Sequence, residues 1–167
     1  MKVVLVTAAL LVGSYSAATA GFQTWSADTE ADPFSGGKRV TVSFMNSLRS
    51  GVLVICDTAE AGLMVRAIPG FTFEESLRGM TPEIEFAFDG QRLLGQSGET
   101  GAVGDNLAAA QTTLSKENAE AFVKAFAAAK KQVAIKDGIS DRPHLLTARG
   151  STKAGQALVS CMESQVK

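Results

Sequence analysis

The chain is predicted to fold as α+β: a mainly antiparallel sheet of five or more strands, two helices packed on one face, and one disulfide. Three observations carry this. Period-two apolar alternation recurs between residues 40 and 88, helical periodicity replaces it after Ser115, and the only two cysteines fall within one segment of each kind.

The first twenty residues stand apart from that pattern. Lys2 supplies a positive start, Val3 to Val12 form a short apolar run, and Ala18-Thr19-Ala20 is a small-x-small cleavage signal. A run of about ten residues is too short for a bilayer span, which needs about twenty. The organisation expected is a signal peptide over 1–20 and a single α+β domain over 21–167, exported to the periplasm or beyond, with no permanent membrane anchor. A domain of roughly 150 residues buries most of its unfolded surface in one core. The formal charge of −1 gives no electrostatic reason to expect a nucleic-acid partner.

Within the domain, "DPFSGGKRV" (32–40) reads as a loop leading into a strand in which Val40, Val42 and Phe44 share a face. "GVLVICD" (51–57) is apolar at successive positions, as in a central strand covered on both sides. "GLMVRAI" (62–68) is its hairpin partner, with the turn near "TAEAG". After Pro82, Ile84, Phe86 and Phe88 face one way and Glu83, Glu85 and Ala87 the other, ending in the turn signal "FDG". Ser115 then caps a helix that presents Phe122, Ala125, Phe126 and Ala129 on one face, with Lys130 and Lys131 at its C-terminal end. "QVAIKD" (132–137) and "HLLTARG" (144–150) return to strand. Ser151 is expected to cap a final helix in which Ala154, Ala157, Leu158, Cys161 and Met162 form the buried stripe. Trp25 is expected in the core.

Two cysteines in an exported chain read first as one disulfide, Cys56 to Cys161. Cys161 lies on the buried stripe of the last helix and Cys56 ends the most apolar strand, so a bridge from helix to sheet is geometrically reasonable. A metal site is disfavoured because two isolated thiols and one distant histidine lack the clustered spacing zinc uses. No metal and no cofactor are expected.

The functional candidates each have a plainer reading. His144, the only histidine, sits in "DGISDRPHLLTARGS" (137–151). As a general base it needs a nucleophile and an orienting acid, whereas Asp137-Gly138 and Asp141-Arg142-Pro143 are good turn chemistry. Glu83 with Glu85 share a solvent face, and Glu74 with Glu75 show no fixed separation across a cleft. "GQSGETGAVGD" (95–105) lacks the Gly-Lys-Ser/Thr ending of a phosphate loop and reads as a mobile loop. Gly98 and Gly101 within it, together with Phe71, Phe73 and Leu77 of "IPGFTFEESLRGM", are the candidate partner contacts.

The order "W…DPFSGGKRVTVSF", "LVIC", "GLMV", "IEFAFDG", "AEAFVKAFAAAKKQVAI" and a short C-terminal helix with the second cysteine resembles a group of small exported bacterial proteins. Some of these are described as accessory proteins of type VI secretion. The resemblance covers most of the mature chain and implies the Cys56–Cys161 disulfide and no catalytic residues. A W-x-S-x-D segment usual in that group is replaced here by "LLGQSGETG". The functional expectation is an exported, non-enzymatic binding or accessory protein whose partner is another protein or a cell-envelope component. The alternatives are a small hydrolase using His144 and a carrier of a small apolar ligand held between sheet and helices.

Overall fold

The computed structural model describes residues 22–34 and 36–165. The proposed leader, 1–20, lies outside the described residues. Ten strands and two helices follow one another: β1 Ser26–Ala31, β2 Lys38–Met45, β3 Gly51–Asp57, β4 Leu63–Ile68, β5 Glu83–Phe88, β6 Gln91–Ser97, β7 Glu99–Val103, β8 Leu107–Leu114, α1 Lys116–Ala128, β9 Gln132–Lys136, β10 His144–Thr147 and α2 Ser151–Met162. The strands make two sheets, a six-stranded one in the order β1-β2-β3-β4-β8-β7 and a four-stranded one in the order β10-β9-β5-β6. Every strand pairing is antiparallel.

The two sheets and both helices enclose a single core. Val40, Val42 and Phe44 of β2 meet Val52, Val54 and Cys56 of β3 and the helical residues Phe122, Phe126, Leu158 and Cys161. Ile84, Phe86, Val133, Ile135 and Leu146 bring the second sheet onto the same cluster. Trp25 lies at its centre, 4.8 Å from the Phe126 ring and 5.2 Å from Phe44, and its indole N–H donates to the Thr147 carbonyl. A buried tryptophan keeps its large contact area at little cost only when that N–H finds an acceptor.

Helix α1 starts as its sequence dictates: the Ser115 hydroxyl accepts the Asn118 amide, and Glu117 lies in the first turn. It ends at Ala128, short of Lys130 and Lys131, because the amides of Lys130, Lys131 and Gln132 donate to the carboxylate of Asp89 in the "FDG" turn. The disulfide joins Cys56 to Cys161 with 6.2 Å between their α-carbons, fastening α2 to β3.

Several local expectations are corrected. β3 is not covered on both sides: Val52, Val54 and Cys56 are buried, while Leu53, Ile55 and Asp57 on the outer face are half-buried. Segment 95–105 is not a mobile loop but most of a bent ribbon, β6 and β7, that leaves one sheet and enters the other. Gly98 is its corner, where the amide donates to the Pro82 carbonyl and a β-carbon would stand 2.4 Å from the Gln111 carbonyl oxygen and 2.7 Å from Ile84 Cδ1. Glycine is required there by close approach. Ser151 does not cap α2. Gly150, with φ of 87°, holds that position, and the Ser151 hydroxyl is buried without a hydrogen-bond partner among the described residues. β1 was absent from the sequence expectation because an edge strand with five exposed side chains carries no apolar alternation.

Candidate functional site

The polar segment after β9 assembles around one buried carboxylate. Asp137 Oδ1 accepts the amides of Ile139 (3.0 Å) and Ser140 (2.8 Å), an Asx turn made possible by Gly138 at φ of 72°. The Ser140 hydroxyl lies within hydrogen-bond distance of both carboxylate oxygens and of the Arg142 carbonyl. Oδ2 faces His144 Nε2 at 2.9 Å, and both side chains are buried. Burial alone would raise the Asp137 carboxyl. The hydrogen bonds from His144, the Ser140 and Ile139 amides and the Ser140 hydroxyl outweigh it and hold the group below its ordinary range. An ionised carboxylate only accepts, so the proton between the two side chains belongs to His144 Nε2.

Serine, aspartate and histidine are thus brought together, but with the aspartate in the middle. A nucleophilic triad needs the imidazole between hydroxyl and carboxylate. Here Nε2 is committed to Asp137, and no hydrogen bond joins Ser140 to His144 among the described residues.

The segment forms one wall of a cleft of about 450 Å³. Asn46 and Ser50 of the β2–β3 turn and Pro69 and Phe71 after β4 form the opposite wall, while Ile139 and Leu145 contribute apolar surface beside His144. The lining mixes polar and apolar side chains, and exposed apolar residues lie in or next to it. Phe71 is 39 % exposed, Leu145 61 %, and Leu48, at the tip of the turn between Asn46 and Ser50, 87 %. Phe22, 58 % exposed, is bridged to Met45 at the base of the same turn. Asp141 and Arg142 are exposed beside these side chains and supply one charge of each sign.

Of the five residues singled out as partner contacts, Phe71 alone lines this cleft. The chain then runs along the other end of the β7–β8 hairpin, where the Phe73 amide donates to Asn106 and the Thr100 hydroxyl donates to the Leu77 carbonyl, leaving Phe73 and Leu77 half-buried. Gly98 is the sheet-to-sheet corner, and Gly101 pairs with Ala109 inside the ladder. Asp137, Leu48 and Leu145 were not foreseen. Asp137 was legible as an acid ending a strand before glycine, but its partner lies across the turn.

A second concavity, about 1010 Å³, lies between α1, α2 and the β3–β4 turn. Val123, Val159 and Met162 give it an apolar floor, and Lys116, Lys124 and Glu163 stand around it. Among the described residues no cluster of three or more histidine, cysteine, aspartate or glutamate side chains could hold a metal ion, and no helix is long and apolar enough to cross a membrane.

Fold and site together define a disulfide-tied α+β domain with a cleft of mixed polar and apolar lining. No protein-family model, curated protein or solved structure matches the chain significantly.

Proposed function

We propose that this is an exported, non-enzymatic binding or accessory protein that contacts a protein partner of the cell envelope through the cleft end of the domain. The observation that carries the reading is a cleft built by three separate segments, in which Phe71 and Leu145 line the concavity with exposed apolar surface and the exposed Leu48 lies in the turn that supplies Asn46 and Ser50. Apolar residues grouped in this way mark contact surfaces more often than scattered ones do. The disulfide supports an oxidising compartment, and the leader-like residues 1–20 support export. The resemblance to secretion-associated proteins makes a secretion machine the first partner to examine.

The hydrolase alternative needs a free imidazole beside a hydroxyl, which the Asp137-centred wiring disfavours. His144→Gln, purified in folded form, is expected to retain partner binding.

A photo-crosslinking residue at position 48 or 145, introduced in the native cell, tests the proposal. The same adduct is expected from both positions and none from position 93, an exposed leucine on β6 outside the cleft. Identical adducts from all three positions would remove the cleft from the account.

The groove between the helices favours one second reading, carriage of a small apolar ligand. It lies between the two helices and the β3–β4 turn of the six-stranded sheet. Native mass spectrometry of gently purified protein tests it: a homogeneous bare mass argues against a tightly held ligand.

A further inference from the structure

β1 is the outer strand of the six-stranded sheet, and the direction of its backbone groups is fixed by its neighbours. The Asp32 amide donates to the Gly37 carbonyl just beyond the β1–β2 ladder, and the Thr58 amide donates to the Lys38 carbonyl on the other side of β2. Hydrogen-bonded pairs recur at every second residue of an antiparallel ladder. With the register Ser26↔Ser43 through Ala31↔Lys38, Asp28 and Glu30 therefore turn their backbone groups toward Thr41 and Arg39 of β2. Ala27, Thr29 and Ala31 turn theirs outward, each presenting one donor and one acceptor. No other segment among the described residues bonds to those three.

The other outer strands differ. The Thr100 hydroxyl of β7 donates to the Leu77 carbonyl of the preceding segment, β10 is met by Trp25, whose indole donates to Thr147, and Gln96 of β6 donates to the Thr113 carbonyl and accepts from the Asn118 side chain. Sheet edges are ordinarily protected by charged side chains, lysine above all, by proline, by a bulge or by very short length. β1 has six residues, an uninterrupted register and neither proline nor lysine, and its only charges are the acids Asp28 and Glu30.

Its side chains decide what can pair there. Asp28 and Glu30 share the outer face of the sheet and are exposed, and no ion pair engages them among the described residues. The nearest cation across the ladder, Arg39, is committed to Asp57 at 3.0 Å. A second copy added antiparallel about Thr29 would set Asp28 directly opposite Glu30 of that copy, and like charges in that position repel.

We infer that β1 accepts, by strand addition, an extended segment of a partner protein carrying lysine or arginine at alternate positions. Main-chain bonds to Ala27, Thr29 and Ala31 hold the segment, and its cations lie over Asp28 and Glu30. This edge is distinct from the cleft, so the inference goes beyond the proposed function and stands or falls separately.

The test uses the mature chain and a labelled peptide, matched to β1 in length, that alternates lysine with threonine. A second peptide has glutamate in place of each lysine. Fluorescence anisotropy is expected to show the lysine peptide binding about tenfold or more tightly than its counterpart. Hydrogen exchange is expected to slow at the amides of Ala27, Thr29 and Ala31 while those of Asp28 and Glu30 stay as they were. Thr29→Pro removes an outward amide that the fold does not use, so it is expected to melt like the parent and to lose the lysine peptide. The paired change Asp28→Lys, Glu30→Lys is expected to reverse the preference. Equal binding of the two peptides, absence of saturable lysine-peptide binding, or unaltered exchange at those three amides overturns the inference, whatever the fate of the proline variant.

Discussion

Asp137 Oδ2 and His144 Nε2 stand 2.9 Å apart inside the protein, seven residues from one another in the chain, and the turn between them forms one wall of the cleft. The pair holds the strand entry at His144 against the strand exit at Asp137, and so fixes where Leu145 is presented. Its role is to position that wall.

Asp137→Ala is accordingly expected to destabilise the domain by about 3 kcal/mol, since it strips three donors of their acceptor and leaves a buried imidazole unpaired. Urea unfolding measures this. A loss within about 0.5 kcal/mol, the range of an ordinary surface change, would contradict the structural role.

The same carboxylate sets a pH dependence. Its folded-state pKa is depressed below the unfolded value near 3.8. Its stabilisation is therefore fully present above about pH 4 and lost as pH falls through the lower folded value. Acid unfolding of Asp137→Asn is expected to be shallower than that of the parent in this window, with the two curves parallel above it.

Removing the disulfide is expected to cost roughly 4–5 kcal/mol, because the bridge closes a loop of about 100 residues and so restricts the unfolded chain. Cys56→Ala with Cys161→Ala, compared with the parent by denaturant midpoint, measures it. The parent under reducing conditions should match the double variant.

Gly98→Ala places a methyl group against the Gln111 carbonyl and Ile84 Cδ1, both closer than a β-carbon tolerates. The expected loss is about 2 kcal/mol or more. Ser151→Ala should act the other way. It removes a buried hydroxyl that has no partner among the described residues, so stability is expected to stay level or rise by up to about 1 kcal/mol. A thermal melt of each variant checks the sign.

The sequence carried the fold where one face of an element is buried in large side chains. Val40-Val42-Phe44, Ile84-Phe86-Phe88 and Phe122-Phe126 each announced strand or helix, and the Cys56–Cys161 pairing followed from two such patterns. It was silent where burial leaves little mark. β1 exposes nearly all its side chains, and the buried face of β8 begins with Ala108 and Ala110, small residues that blur alternation. Ser151 resembled a helix cap because it precedes the apolar stripe, yet the left-handed turn at Gly150 draws it one step into the helix. The cleft was legible only in part. Phe71 stood out by its apolarity, but the surface depends on three distant segments, 46–50, 69–71 and 139–145, meeting at one end of two sheets.

The proposed export requires the chain to cross a membrane, lose its leader and close one bond between sulfurs. Intact-mass analysis of the protein isolated from its native cells, without reductant, tests that most directly. The expected mass is that of a chain beginning at Gly21 and two hydrogen atoms lighter than its reduced form. A mass that retains residues 1–20 together with two free thiols would contradict both the export and the envelope-facing role built on it.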